Sequence, residues 1–104
     1  MFGWGVPTIT TDELAEKLGH GKQVLIDVRE PYEYAAGHVK SAVNVPLGTL
    51  ADNLGKFDHH AETFVICQSG HRSVSAVRLL QRAGFEHVYS VKRGTSGWRG
   101  GLVR

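Results

Sequence analysis

Short, continuous apolar runs recur along the chain, and their length is that of β-strands. Residues 23–28 (QVLIDV) and 64–67 (FVIC) lack the regular polar alternation of a half-exposed strand. Runs of this kind are typical of strands that are buried on both faces of a sheet. Two further strands are predicted over residues 42–45, where Pro46 stops the run, and over residues 88–91.

Between these runs, apolar residues recur at helical spacing. Thr10 and Glu13 form a capping-box pattern that predicts a helix over residues 11–18, closed by Gly19. Strands that alternate with helices of this length predict an α/β fold, in which helices flank a central, mainly parallel sheet on both faces. The other predicted helices cover residues 31–36, the stretch with Leu47, Leu50 and Leu54 on one face, and residues 72–83.

The composition is that of one ordinary globular domain over residues 1–104, with 41% hydrophobic and 21% charged residues. No apolar stretch approaches the ~18 residues of a membrane span, so no membrane partner is expected. The chain starts without a basic region followed by an apolar block, so no signal peptide is expected. A single cysteine fits a reducing compartment, and a cytoplasmic location is therefore predicted.

The net charge of +2 conceals two unlike halves. Residues 1–62 carry five Lys and Arg against nine Asp and Glu, whereas residues 63–104 carry seven Lys and Arg against one acid, Glu86. Such a division indicates an anion-facing surface in the second half. The basic residues are spread out, with no RNA-binding aromatic motif or zinc-finger spacing, so a nucleic-acid partner is not predicted.

The only cysteine, Cys67, ends a predicted strand in the basic half. Ligands of parallel α/β sheets bind beyond the carboxyl ends of the strands. Cys67 is therefore placed at the functional edge, and Asp27, at the end of QVLID, is expected at the same edge.

The residues that follow Cys67 are poor material for a core and suit an exposed anion pocket. Gly70 allows backbone dihedrals that a side chain would forbid, and successive N–H groups in such a loop can form an anion-binding nest. A helix that starts near Arg72 adds unpaired N–H donors, Arg72 a fixed charge and His71 a conditional one. These features favour a nucleophilic thiolate. The alternative is a buried cysteine that packs as a small hydrophobe.

Three motifs, in order, resemble those of single-domain rhodaneses, and the resemblance covers nearly the whole chain. They are LIDVREPYEYAAGHVKSAVNVPL (25–47), VICQSGHRSVSAVRLL (65–80) and KRGTSGW (92–98). The resemblance implies a rhodanese-like fold and a sulfurtransferase without metal or organic cofactor. Such an enzyme takes the outer sulfur of a donor such as thiosulfate and passes it to cyanide or a thiol.

The resemblance also implies roles for single residues. Cys67 would be the nucleophile that carries the persulfide, and Arg72 and His71 would assist a small anionic donor. The N–H groups that would cradle the persulfide belong to Gln68, Ser69, Gly70, His71, Arg72 and Ser73. A low-turnover sulfur carrier or regulatory module, which meets a sulfur-relay protein, would use the same residues.

Related folds also host phosphatases and arsenate reductases, in which five residues separate the cysteine from an arginine. Here four residues, QSGH, separate Cys67 from Arg72. The shorter loop makes a tighter cup, which suits a sulfur atom better than a phosphate. Arg93 departs from the family pattern, because it stands where the first glycine of a pair is usual. No basic residue follows Cys67 directly, whereas one does in some rhodaneses that use thiosulfate efficiently. The resemblance therefore does not establish thiosulfate as the physiological donor.

Supporting roles are predicted for three residues outside the loop. Asp27 is expected to bond loop backbone, Arg29 to pair with a carboxylate such as Glu33, and Trp98 to line the pocket wall near Cys67 or to pack elsewhere. A metal site at His59 and His60 is not predicted, because adjacent side chains point apart and no cysteine is near in sequence.

Overall fold

The computed structural model describes residues 2–3 and 5–104. The strands are β1 (Phe2–Gly3), β2 (Val6–Ile9), β3 (Val24–Asp27), β4 (Val43–Asn44), β5 (Thr63–Ile66) and β6 (Val88–Val91). They form one six-stranded sheet of order β1-β2-β6-β5-β3-β4. The four predicted strands are confirmed. Strands β1 and β2 were not predicted. In β2, Pro7 and Thr8 separate the apolar residues Val6 and Ile9, so no continuous apolar run marks the strand.

All neighbouring strands from β2 to β4 are parallel, and only β1 is antiparallel to its neighbour. The register pairs Asp27 with Ile66 at the ends of β3 and β5, and Ile9 with Val91 at the ends of β2 and β6. The carboxyl ends of these strands therefore meet at one edge of the sheet. Cys67 follows β5 directly at this edge, and Asp27 ends β3 beside it, as the sequence predicted.

The helices are α1 (Thr11–Leu18), α2 (Pro31–Ala36) and α3 (His71–Arg82). The capping box of α1 is confirmed, because the Thr10 hydroxyl accepts from the Glu13 N–H at 3.1 Å and the Thr10 N–H donates to the Glu13 carboxylate at 2.9 Å. The leucine-bearing stretch Leu47–Lys56 winds as a 3₁₀ helix, and a second 3₁₀ helix spans Gly94–Gly97. None of the helices among the described residues is long and apolar enough to cross a bilayer.

Alternate strand residues point to opposite faces of the sheet and enter separate cores. On β3, Ile26 packs in the core with Cys67 and the α3 residue Val77, whereas Leu25 packs in the core with the α1 residue Leu14. The prediction of helices on both faces is therefore confirmed. Leu50, from the first 3₁₀ helix, is fully buried on the Cys67 side.

Candidate functional site

The loop from Cys67 to Ser73, called the catalytic loop after the role that we propose for Cys67 below, directs two backbone N–H groups toward the Cys67 sulfur. Gly70 has φ 104°, a left-handed conformation that favours glycine, and it is the N-cap of α3. The Gly70 N–H donates to Cys67 Sγ at 3.1 Å, and the Ser73 N–H donates at 3.4 Å from the first turn of α3. Donors in this arrangement stabilise negative charge on the sulfur.

Hydroxyl groups extend this network away from the sulfur. The Cys67 thiol lies 3.6 Å from Ser73 Oγ, which is 2.7 Å from Ser90 Oγ on β6. Ser73 also donates its hydroxyl to the Gly70 carbonyl at 3.1 Å. Ser90 was not among the predicted site residues, and its position opposite Val65 in the parallel register brings it there.

Cys67 itself is buried, with 1% of its surface exposed, and the prediction of a sulfur open in an exposed pocket is wrong. The first turn of α3 closes over the side chain, which packs in the same core as Val74. The exposed part of the site is a cavity of about 300 Å³ beside the sulfur's loop, lined by Ser69, Gly70 and His71 among others. His71 Nδ1 lies 3.5 Å from Ser69 Oγ, and His71 borders the cavity.

The second 3₁₀ helix binds the back of the catalytic loop. The Cys67 carbonyl accepts from the Thr95 N–H at 2.8 Å and the Thr95 hydroxyl at 3.2 Å. The Gln68 carbonyl accepts from the Ser96 N–H at 3.0 Å and the Ser96 hydroxyl at 2.6 Å. A Cβ at Gly94 would lie 2.0 Å from the Cys67 carbonyl oxygen, so this approach requires glycine. Trp98 was the residue predicted to matter in this segment, whereas Thr95 and Ser96, which hold the loop, were not predicted although they lie in the KRGTSGW motif.

Asp27 and Arg29 form a buried ion pair at the start of the network. Arg29 Nη2 lies 2.9 Å from Asp27 Oδ2, and the Arg29 backbone N–H donates to Asp27 Oδ1 at 3.0 Å. Arg29 also donates to the Gln68 side-chain oxygen at 3.3 Å and to the Gly37 carbonyl at 2.8 Å. Arg29 pairs with a carboxylate, as predicted, but the partner is Asp27 rather than Glu33, because the Arg29 side chain turns toward the carboxylate at the end of β3. Asp27 does bond backbone, but that of Arg29 rather than of the catalytic loop.

Glu33 pairs instead with Arg72, across from α2 to the first turn of α3. The two nitrogens of the guanidinium lie 2.7 and 2.9 Å from the two carboxylate oxygens. This contact lowers the pKa of Glu33 to about 2 and raises the pKa of Arg72. Cys67 adds a smaller electrostatic contribution to the raised pKa of Arg72. The fixed charge predicted for Arg72 is therefore near the sulfur, but a carboxylate balances it.

Trp98 does not line a wall beside Cys67. It packs with Leu14, Val39 and Ile66 in the core on the opposite face of the sheet. Its ring borders a separate cavity there with Leu18 and others. The predicted pocket-wall position of Trp98 is therefore wrong, and the alternative of plain packing describes its surroundings.

Arg93, which stands where the family pattern usually has a glycine, lies at the cavity beside the loop. Its exposed side chain borders the cavity beside the catalytic loop, together with Lys92. Among residues 2–3 and 5–104, no group of three or more His, Cys, Asp or Glu side chains is arranged to hold a metal ion.

The chain and its fold are similar to known proteins. A family model described as Rhodanese-like domain matches residues 10–100. The chain is 31% identical over 96 residues to YrkF of Bacillus subtilis (strain 168), a candidate sulfur carrier protein, a match that covers 91% of this chain and 52% of YrkF. It is 40% identical over 76 residues to the thiosulfate sulfurtransferase GlpE of Pseudomonas entomophila (strain L48), with 73% of this chain and 70% of GlpE covered.

The fold agrees with that of a solved relative. The crystal structure of a rhodanese-like domain protein from Staphylococcus aureus has a TM-score of 0.87 at 35% identity, covering 94% of this chain and 97% of that one. The chain spans about half the length of YrkF. The extent of the family match, the shared fold and a cysteine held by loop amides agree with one another, and the chain belongs to the rhodanese-like domain family.

Proposed function

We propose that the protein transfers a sulfane sulfur, the outer sulfur of a donor such as thiosulfate, through a persulfide on Cys67. The observation that carries the proposal is the pair of N–H groups, from Gly70 and Ser73, that converge on Cys67 Sγ. These donors favour the thiolate before transfer and a persulfide anion after it. The similarity to a thiosulfate sulfurtransferase supports the same chemistry.

The first half-reaction forms the persulfide. The Cys67 thiolate attacks the outer sulfur of thiosulfate and forms a new S–S bond. The S–S bond of thiosulfate breaks, and sulfite leaves with the electron pair. The product is a Cys67 persulfide with its negative charge on the outer sulfur, which can accept hydrogen bonds from the loop N–H groups.

The second half-reaction returns the enzyme to its initial state. A nucleophile such as cyanide or a thiolate attacks the outer sulfur and forms a bond to it. The bond between the two sulfurs of the persulfide breaks, and the electron pair stays on Cys67 as the thiolate. Donor and acceptor then occupy the site in turn, which predicts ping-pong kinetics. A reducing compartment such as the cytoplasm would keep Cys67 free of disulfides between turnovers.

Phosphatase or arsenate reductase activity fits the site less well. Four residues separate Cys67 from Arg72, and Arg72 is bound through both of its outer nitrogens by Glu33. An oxyanion at Cys67 would have to compete with that carboxylate for the guanidinium. We expect no hydrolysis of an aryl phosphate and no reduction of arsenate.

A second candidate is a sulfur carrier that turns over poorly with small molecules. The burial of Cys67, which is 1% exposed, is consistent with slow turnover, because a small acceptor has little access to the sulfur. The likeness to a candidate sulfur carrier protein also supports it. A carrier would form the same persulfide and release its sulfur to a relay protein instead of to cyanide.

Intact-mass spectrometry after incubation with thiosulfate tests the proposal. We expect wild type to gain the mass of one sulfur atom and Cys67→Ser to gain none. Cyanide should then remove the added mass and yield thiocyanate stoichiometrically. A wild-type protein without the adduct, or an adduct on Cys67→Ser, would contradict the proposal. A persulfide that forms but resists cyanide and small thiols would select the carrier.

A further inference from the structure

Arg93 adopts a backbone conformation that arginine rarely takes. It has φ 64° and ψ −9°, in the left-handed region, as the N-cap of the 3₁₀ helix Gly94–Gly97. Among residues 5–104, Ser41 is the only other non-glycine residue with positive φ. Such strain persists where the surroundings impose it, and it clusters at ligand-binding sites. An arginine side chain is therefore present at a position where the family pattern usually has a glycine.

The charge of Arg93 is not balanced by a neighbouring carboxylate. Arg29, Arg72 and Arg99 have Asp27, Glu33 and Asp12 within 4.0 Å. Arg93 has no salt bridge within the described part of the chain. It is therefore a guanidinium whose donors are available to a ligand.

The position of Arg93 connects it to the catalytic loop. Its side chain borders three cavities of about 300, 350 and 320 Å³ at this edge of the sheet. The first is also lined by Ser69, Gly70 and His71, and no carboxylate of the described residues lines it. Its volume lies at the lower end of the range for small-molecule sites and exceeds the needs of a single sulfur atom.

We propose that Arg93 determines specificity by binding the anionic group of a small sulfur compound whose sulfur reacts at Cys67. The inference rests on the proposed sulfur transfer and names the substrate class: a donor or acceptor in which the reacting sulfur is joined, directly or through a short linker, to a carboxylate or sulfonate group. The guanidinium offers paired donors that match the oxygens of either group. Arg72 is less suited to this role, because Glu33 already occupies its outer nitrogens.

Two matched thiols test the acceptor side. The Cys67 persulfide is first formed with thiosulfate and isolated, and its discharge is followed by intact mass with mercaptoacetate or with neutral mercaptoethanol, at equal thiolate concentration. We expect Arg93→Gln to lower the ratio of the discharge rate with mercaptoacetate to that with mercaptoethanol roughly fivefold. This is the effect of one charge-assisted contact at a partly exposed site. Arg99→Gln removes a cation that borders only a neighbouring cavity, and it should leave the ratio at the wild-type value.

The rate at which thiosulfate forms the persulfide tests the donor side. A loss in Arg93→Gln confined to this step assigns the bound anion to the donor, and a loss confined to the mercaptoacetate ratio assigns it to the acceptor. If Arg93→Gln changes neither the loading rate nor the ratio, the proposal is overturned.

A binding measurement separates this inference from the sulfur chemistry. In Cys67→Ser, we expect the Arg93 side-chain N–H resonance in NMR to shift with (methylthio)acetate, an unreactive thioether that carries a carboxylate. It should not shift with the neutral thioether 2-(methylthio)ethanol. The Arg99 resonance is the internal control. A wild-type protein that forms no persulfide would overturn the proposed function, and this titration would still decide the role of Arg93. Equal responses to the two thioethers would exclude a site for the anionic group.

Discussion

The catalytic loop is held between two arginine–carboxylate pairs that differ mainly in their exposure. On the inner side, the Asp27 and Arg29 side chains are 0% and 4% exposed. On the outer side, the Glu33 and Arg72 side chains are 19% and 36% exposed. The inner pair joins an acid at the sheet edge to an arginine that contacts the loop through the Gln68 side chain. The outer pair joins an acid on α2 to an arginine that belongs to the loop. The same chemistry thus occurs once inside the protein and once near its surface.

The difference in exposure separates a positioning role from a tuning role. Arg29 has hydrogen bonds to Asp27, the Gly37 carbonyl and the Gln68 side chain, so all three nitrogens of its guanidinium act as donors. Loss of one partner of a buried pair leaves an uncompensated charge, which water cannot reach. Arg72 and Glu33 remain in contact with solvent, which screens their attraction and can replace a lost partner. We therefore expect the inner pair to control folding and the outer pair to control the charge near the sulfur.

The largest effect should follow from Asp27→Asn. The substitution leaves the buried Arg29 guanidinium without its carboxylate, and we expect the free energy of unfolding to fall by about 3–5 kcal/mol. Urea denaturation, followed by tryptophan fluorescence at neutral pH, measures the loss. Glu33→Gln is the matched variant on the outer side and should lose far less.

A double variant keeps this prediction testable if Asp27→Asn does not fold. Asp27→Leu combined with Arg29→Met replaces both charges with apolar groups, and we expect it to be more stable than Asp27→Asn. The comparison between the two sides would break if Asp27→Asn lost no more stability than Glu33→Gln.

A smaller, pH-dependent effect is expected on the outer side. Arg72 lowers the pKa of Glu33 from 4.5 to about 2. A carboxylate whose folded-state pKa is lowered stabilises the fold fully above its unfolded-state value, and loses that contribution as pH falls toward the folded-state value. We expect Glu33→Gln to be about 0.5–1 kcal/mol less stable than wild type above pH 4.5, with the difference vanishing as pH approaches 2.

Urea denaturation at a series of pH values down to the acid limit measures this difference. Glu16→Gln, which removes an exposed carboxylate from α1, is the control and should show no comparable trend. A difference between wild type and Glu33→Gln that grows as pH falls would contradict the assigned direction of the Glu33 pKa shift.

Local signals in the sequence predicted the loop and its helix well, and tertiary partners poorly. The apolar run before Cys67 and the helical spacing after Gly70 are local, so β5 and α3 lie within one residue of their predicted bounds. Arg29 has acids two and four residues away, and only the direction of its side chain at the sheet edge decides between Asp27 and Glu33. The burial of Cys67 likewise depends on how α3 packs, which loop composition does not specify.

The last segment shows the same limit. The KRGTSGW motif was identified, but the need for Gly94 comes from a carbonyl 27 residues earlier in the chain, that of Cys67. Two residues on the outer edge, Lys92 and Arg93, differ in conformation although both are basic, and only Arg93 has positive φ. A sequence pattern gives no dihedral angles, so the strain at Arg93 became visible only in the structure.

An effect of similar size but opposite sign is expected from a substitution of Arg93, which borders the cavity beside the catalytic loop. Arg93→Gly removes the cost of a left-handed non-glycine residue, about 1–2 kcal/mol, and adds an unfolded-state entropy cost of about 0.4–1 kcal/mol. We expect a net gain of roughly 0.5–1 kcal/mol in the free energy of unfolding. Arg93→Ala also removes the guanidinium but keeps a Cβ at φ 64°, so it should gain nothing. Parallel urea titrations compare the two variants. If Arg93→Gly were no more stable than Arg93→Ala, the backbone at this position would not be strained. Arg93 would then be accommodated by its surroundings as fully as the inner pair is.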